Sequence, residues 1–88
     1  MSFNAYRDEA ARFLADIHAD GEPAAPKLRM LQEELDCLKA ADPADVKTIS
    51  HQTYDLLFLL MEIAAQYHVD LDAEWAAGRV RKQEKYLQ

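Results

Sequence analysis

The stretch Thr48–Asp70, TISHQTYDLLFLLMEIAAQYHVD, decides the fold, because it holds the longest apolar run of the chain, Leu56–Met61. A helical period of 3.6 residues divides this stretch between two sides. One side carries Ile49, Leu56, Leu60, Ile63 and Tyr67, and the other carries Leu57, Met61, Ala64 and His68. A helix that is apolar on more than one face is buried on more than one face. We therefore predict that this helix packs against several neighbours.

A polar strip runs along the same predicted helix. Asp55 stands at the leading edge of the apolar run and Glu62 at its trailing edge, with His51 one turn before Asp55. At 100° per residue these three side chains fall within about 40° of one another around the helix. An acid-bearing strip on an element that is otherwise apolar marks the first candidate for a functional site.

Length and composition restrict the fold class. The chain has 88 residues, of which half are hydrophobic and 30% are charged, with only two glycines and three prolines. Alanine, leucine, glutamate and aspartate dominate, and this composition favours helices. We predict a single all-α domain that covers residues 1–88.

The charge is acidic overall and unevenly distributed. Residues 1–78 carry 6 basic and 15 acidic side chains, whereas residues 79–88 carry 4 basic and 1 acidic. An acidic protein binds nucleic acid or a membrane surface poorly, so neither is an expected partner. The basic last segment suits a small phosphorylated ligand.

Cysteine content and hydropathy suggest where the chain works. A single cysteine, Cys37, excludes an internal disulfide and fits the reducing cytoplasm. Met1–Asp8 lacks the basic start and apolar core of a secretion signal. The Leu56–Met61 run is too short to span a bilayer. We expect a cytoplasmic protein.

Periodicity and turn signals predict four helices, over Ser2–Ala19, Pro26–Ala41, Pro43–His68 and Asp72–Tyr86. We expect Ser2 or Asn4 to cap the first helix, Asp20 and Gly21 to end it, and Asp42 to cap the third. The third helix would then have about 26 residues and a length of roughly 39 Å. A compact domain of this size is only about 30 Å across. The excess length predicts a homodimer or a higher homo-oligomer.

Carboxylates on the second and third predicted helices are the candidates for chemistry. They are Glu33, Glu34 and Asp36 on the second helix, and Asp55 and Glu62, beside His51, on the third. Mg²⁺ prefers oxygen ligands and commonly bridges carboxylates to substrate phosphates. Two facing helices with such acids would form a magnesium site. Solvated helix faces, for the second helix, and interhelical ion pairs, for Asp55 and Glu62, remain open as alternatives.

The segment Leu31–Leu38, LQEELDCL, followed by Gln52–Phe58, QTYDLLF, resembles the MazG family of nucleotide pyrophosphohydrolases. That family belongs to an all-α superfamily with phosphoribosyl-ATP pyrophosphohydrolase and the all-α dUTPases. Its pattern is Glu-Glu-x-x-Glu, a gap of a dozen or more residues, and Glu-x-x-Asp. The similarity continues through Ala64–Leu71 into the basic last helix. It implies a four-helix MazG-like bundle that dimerisation completes.

The resemblance also implies site residues. Glu33, Glu34 and Asp55 match three of the five motif acids, whereas Cys37 and Gln52 stand where the other two belong. In the family these acids bind Mg²⁺, and Mn²⁺ is a similar ion, so Glu33, Glu34 and Asp55 are the implied metal ligands, and Glu34 and Asp55 the implied catalytic pair. Auxiliary roles fall to neighbouring polar side chains, namely Asp36, His51, Gln52 and Glu62. Arg79 and Lys82, with Gln83, fall where the family contacts substrate phosphates.

Two functions follow as expectations. The first is hydrolysis of a nucleoside triphosphate to the monophosphate and pyrophosphate, weakened or altered in substrate by the changes at Cys37 and Gln52. Mg²⁺ prefers oxygen to a soft thiol, and an amide lacks the charge of a carboxylate. The second is a helical dimer without turnover that binds a nucleotide or a protein partner.

Overall fold

Four α-helices form the fold in a computed structural model that describes residues 2–87. They are α1 (Phe3–Asp16), α2 (Ala24–Ala40), α3 (Val46–Gln66) and α4 (Leu71–Tyr86). No strand occurs within the described range, so the prediction of an all-α fold is confirmed. None of these helices combines the length and the hydropathy that crossing a membrane requires.

The first helix begins as predicted and ends early. The Ser2 hydroxyl accepts a hydrogen bond from the Ala5 amide at 3.1 Å and so caps α1. The helix ends at Asp16 because His18 takes a left-handed conformation, with φ of 58°. The amide of Ala19 then donates to the carbonyl of Leu14, which closes the C-terminal turn. Histidine takes the role that the sequence assigned to Gly21.

The third helix is shorter than the sequence predicts. The Asp42 carboxylate accepts from the Ala44 amide, and the Asp45 amide donates to the Asp42 carbonyl, so these residues form a turn. Asp45 caps the helix instead, because its carboxylate accepts from both the amide and the hydroxyl of Thr48. These hydrogen bonds lower the pKa of Asp45. At its other end, His68 is left-handed, with φ of 54°.

These two ends leave α3 with 21 residues. Its length is then about 31 Å. The predicted 26 residues and the overhang derived from them were wrong, so any argument for a dimer must rest on exposed apolar surface. The other boundaries differ less: α2 starts at Ala24, with Pro26 in its first turn, and α4 starts at Leu71, with Asp70 as its cap.

The third helix is the centre of the fold, with α1 and α2 packed against it. Both run antiparallel to it. Arg7 near the start of α1 donates from Nη1 to the Val69 carbonyl just after α3, at 2.7 Å. Phe13, two turns further along α1, meets Phe58 edge to face, with ring centroids 5.4 Å apart. A groove between α1 and α2 therefore has α3 as its floor.

The fourth helix is attached where its N-terminus meets the N-terminus of α1. Each helix there is capped by a residue of the other. The Asp72 carboxylate accepts from the amides of Phe3, at 3.0 Å, and Asn4, at 3.4 Å. In return, Asn4 Oδ1 accepts from the Leu71 amide at 2.8 Å, and Asn4 Nδ2 donates to Asp70 at 2.9 Å. The Asn4 hydrogen bond is the main cause of the lowered pKa of Asp70.

The core that these contacts enclose is small. The buried apolar residues are Ala10, Leu14, Ala19, Leu59, Met61 and Ala64. The radius of gyration is 15.1 Å, compared with about 12 Å for a compact domain of 88 residues. Many large side chains of the predicted apolar stripes therefore remain half exposed, among them Leu28, Leu35, Leu57 and Leu60.

We expect Asn4→Ala to destabilise the fold by about 1–3 kcal/mol, because it removes the acceptor of the Leu71 amide and one of the two hydrogen bonds to the Asp70 carboxylate. Urea unfolding measures the change. Gln32→Ala is the control, since Gln32 is exposed and bonds only to Asp36 on its own helix, and it should change stability by less than about 0.5 kcal/mol. Equal effects of the two substitutions would contradict the reciprocal capping.

Candidate functional site

The groove between α1 and α2 has a volume of about 650 Å³ and collects most of the charged side chains that point inward. We call it the acidic groove. Its charged lining consists of Glu9 on α1, Glu22 in the connection, Lys27 and Glu34 on α2, and Asp55 and Glu62 on α3. Five carboxylates face one ammonium group. A concave surface lined by one sign of charge concentrates ions of the opposite sign, so this groove favours cations.

The acids of the groove come from a simple register. Asp55 and Glu62 lie seven residues apart on α3, and Lys27 and Glu34 lie seven residues apart on α2. Seven residues are two turns, so each pair shares a helix face and is separated by about 10 Å along the axis. Lys27 acts electrostatically on Glu62 across the groove. Because the helices are antiparallel, Glu34 and Asp55 lie together in the groove, two helical turns from Lys27 and Glu62.

Asp55 is half buried and has one close polar neighbour. His51 Nε2 lies 3.2 Å from Asp55 Oδ2, one helical turn away. The His51 side chain is 72% exposed. This contact orients the carboxylate, which has no other ion-pair partner within residues 2–87, and Asp55 lines the groove.

Glu62 lies deeper in the groove than Asp55. Burial raises the pKa of its carboxyl group, and the nearby charge of Lys27 lowers it in part. The effect of burial on the pKa exceeds that of Lys27, so the folded state favours the protonated form of Glu62 relative to the unfolded chain.

Lys27 is the feature that sequence reasoning missed. The residue is 4% exposed, although it is charged, and its Nζ is buried without a hydrogen-bond partner among the described residues. Buried charges in proteins are normally paired. The heptad spacing from Lys27 to Glu34, which puts both on one helix face, was the available signal.

The remaining predicted residues lie outside the groove. Glu33 and Cys37 are exposed on α2, and Asp36 is exposed and accepts from Gln32 Nε2 at 3.0 Å. Gln52 is half buried, with its Oε1 buried and unpartnered. Within residues 2–87, no three histidine, cysteine or acidic side chains converge closely enough to hold a metal ion by themselves.

The basic residues of α4 line a different groove. Arg79 and Lys82 border a hollow of about 450 Å³ on α4, together with Trp75 and Tyr86. The structure thus brings Glu34, Asp55 and Glu62 together and leaves Arg79 and Lys82 apart from them. Their assignment to substrate phosphates stays a prediction.

Comparison with known proteins adds no relative. No protein-family model, curated protein or solved structure matches this chain.

The raised pKa of Glu62 predicts how stability varies with pH. A group whose folded pKa lies above its unfolded value stabilises the fold at low pH and loses that contribution as pH rises through the folded pKa. Relative to Glu62→Gln, which does not titrate, the wild type should therefore lose stability from pH 4 to pH 7.

Urea unfolding of both proteins at several pH values measures this difference. Glu33→Gln, which removes an exposed carboxylate from α2, controls for the loss of one negative charge. If the unfolding free energy of the wild type, measured relative to that of Glu62→Gln, stays constant or increases with rising pH, burial does not govern the pKa of Glu62.

Proposed function

We propose that the chain is a Mg²⁺-dependent nucleotide pyrophosphohydrolase, in line with its resemblance to the MazG family. One observation carries the proposal. Glu34 and Asp55, which match motif acids from two separate segments of the sequence, line one groove from facing helices. Both residues are half buried there, whereas Glu9 and Glu22, which also line the groove, are exposed.

The residues of the groove fit Mg²⁺. This ion keeps several waters and is commonly held by one or two carboxylates together with substrate phosphates. Glu34 and Asp55 supply two carboxylates, and Cys37, the soft residue of the motif, is exposed outside the groove. Glu33, the third implied ligand, also lies outside it, so we propose a site with two protein carboxylates.

The side chains of the groove would have different roles in the reaction. A bound Mg²⁺ supplies charge neutralisation and activation of water at neutral pH. Glu34 and Asp55 hold the ion, and His51 orients Asp55 through their 3.2 Å contact. Phe13 and Leu59 supply apolar surface to the lining of the groove. Overall, water adds to the α-phosphorus and the bond to the β-phosphate oxygen breaks, which releases pyrophosphate.

Two measurements test this function. Pyrophosphate release from a panel of nucleoside triphosphates should exceed a metal-free blank. The wild type should also melt at a higher temperature in millimolar Mg²⁺ or Mn²⁺ than in chelator, because the ion binds only the folded state; at 100 times the dissociation constant the gain is about 2.7 kcal/mol.

Asp55→Asn should abolish both effects while keeping the shape of the side chain. Asp16→Asn is the matched control, an exposed acid outside the groove at the end of α1, and it should behave like the wild type. A wild type that neither releases pyrophosphate nor responds to metal would overturn the proposal.

Exposed apolar surface favours a second candidate function, assembly as a homodimer. The accessible surface of the chain is 6717 Å², whereas a folded monomer of this mass exposes roughly 5,300 Å². The excess of about 1,400 Å² per chain matches what each partner of an obligate dimer buries.

One stripe of α3 is suited to that contact. Thr53, Leu57 and Leu60 follow one another on α3 at spacings of four and three residues, as side chains do where helices pack together, and Tyr67 follows at the C-cap of α3, beyond the buried Ala64. Leu57 and Leu60 are each 50% exposed and Tyr67 is 64% exposed. We propose that α3 of a second copy covers this stripe, as a dimer that supports the acidic groove or, without turnover, as a dimerisation module.

Sedimentation velocity at micromolar concentration should show a wild-type dimer. Leu60→Asp should give monomer, or a protein whose stability falls on dilution, because a charge in an apolar interface is costly. Val80→Asp is the control, since Val80 is 52% exposed but lies on α4. A stable wild-type monomer would refute the dimer, and dissociation by Val80→Asp alone would move the interface to α4.

A further inference from the structure

The ammonium group of Lys27 lacks a partner at one end of the acidic groove. Its side chain is 96% buried, since only 4% remains exposed, and its Nζ contacts no hydrogen-bond acceptor within residues 2–87. Glu62 acts on it electrostatically but accepts no hydrogen bond from it, and a buried ammonium group without hydrogen bonds is costly. An ammonium group kept in this position therefore points to an anion that pairs with it when the protein works.

The adjacent end of α2 strengthens the positive potential at this point. Pro23 at the N-cap position provides no side-chain hydrogen bond to the first turn. The N-terminus of a helix carries a partial positive charge and free amide groups. Lys27 lies in the fourth position of α2 and Pro26 beside it also lines the groove. Lys27 and the end of α2 thus supply the positive potential of a groove that is otherwise acidic, at the end where Glu62 also lies.

The other end of the groove has the opposite character. Glu34 and Asp55 lie there, two helical turns from Lys27 and Glu62, or about 10 Å along the helix axes. A ligand that satisfies both ends must be extended, must be anionic near Lys27, and must bring a cation to Glu34 and Asp55. A polyphosphate chain with a bound divalent ion meets all three requirements.

We infer that Lys27 binds a phosphate oxygen of a metal-bound di- or triphosphate chain, whose metal ion lies between Glu34 and Asp55. This inference rests on the proposed function and goes further, because it places the binding site of the phosphate on α2, in the same groove as the acids. It also sets the direction of the substrate, with the phosphate chain lying lengthwise between α1 and α2. A chain of three phosphate groups suits the length of the groove better than a single phosphate group.

A structural role of Lys27 predicts different behaviour. If the ammonium group only neutralises Glu62, its removal destabilises the fold and leaves ligand binding unchanged. If it awaits an anion, Lys27→Met removes an unpaired buried charge and keeps the apolar stem, so the ligand-free protein melts at the same temperature or higher. Cation binding should also become tighter, because a positive charge leaves an acidic groove.

Calorimetric titrations with three probes test the inference: Mn²⁺ alone, inorganic triphosphate with Mg²⁺, and orthophosphate with Mg²⁺. The wild type should bind triphosphate at least tenfold more tightly than orthophosphate. Lys27→Met should bind Mn²⁺ as well as the wild type or better, and triphosphate at least tenfold more weakly. Lys39→Met is the matched control, an exposed lysine of the same helix, and should bind all probes like the wild type.

The outcomes separate the two proposals. Unchanged triphosphate affinity in Lys27→Met, with Mn²⁺ still bound, overturns the role of Lys27 and leaves the metal site standing. A wild type that binds neither Mn²⁺ nor triphosphate overturns the metal site, and the Lys27 inference falls with it. Lys27→Gln, which keeps a polar head, replaces Lys27→Met if the latter fails to fold, and the same tenfold loss is expected of it.

Discussion

The arrangement of α1, α2 and the acidic groove depends on the packing of α3, a helix with more apolar surface than one neighbour can cover. Two antiparallel helices, α1 and α2, take two of its sides. A third side, with Leu57 and Leu60, stays half exposed. Because burial of apolar surface is the main favourable term in folding, a helix covered on two sides out of three leaves stabilising surface unused. The second copy that we propose would cover this third side.

The same arrangement creates the acidic groove. Since α1 and α2 contact α3 on different sides, they leave a channel between them with α3 as its floor. The polar strip of α3 runs along that floor, so Asp55 and Glu62 point into a hollow. Packing that serves the apolar faces thereby partly removes these carboxylates from water. The raised pKa of Glu62 is the measurable consequence.

The fourth helix is held in a different way. Its polar N-terminal contacts with α1, through Asn4, Asp70 and Asp72, replace the broad apolar packing seen between α1 and α3. Hydrogen bonds to helix ends are directional, so they fix the angle at which α4 leaves the bundle. The far half of α4, with Arg79 and Lys82, lines a separate hollow away from the acidic groove.

The sequence by itself determined the helix count, the central place of the third helix and the presence of acids on it, because these depend on composition and on a 3.6-residue period. It also singled out Glu34 and Asp55, which share the groove. It misplaced the end of α1, because His18 takes the left-handed conformation that was expected of a glycine. It misplaced the start of α3, because the Asp42 carboxylate accepts a hydrogen bond within a turn and does not cap the helix.

Only the tertiary structure decided which charges meet. The burial of Lys27 depends on α1, the connection after it and α3 closing around one position of α2. The reciprocal caps of α1 and α4 join residues 68 positions apart, Asn4 and Asp72. Local periodicity gives the face on which a side chain lies, whereas its partners and its burial depend on long-range packing of several helices, which no short stretch of sequence encodes.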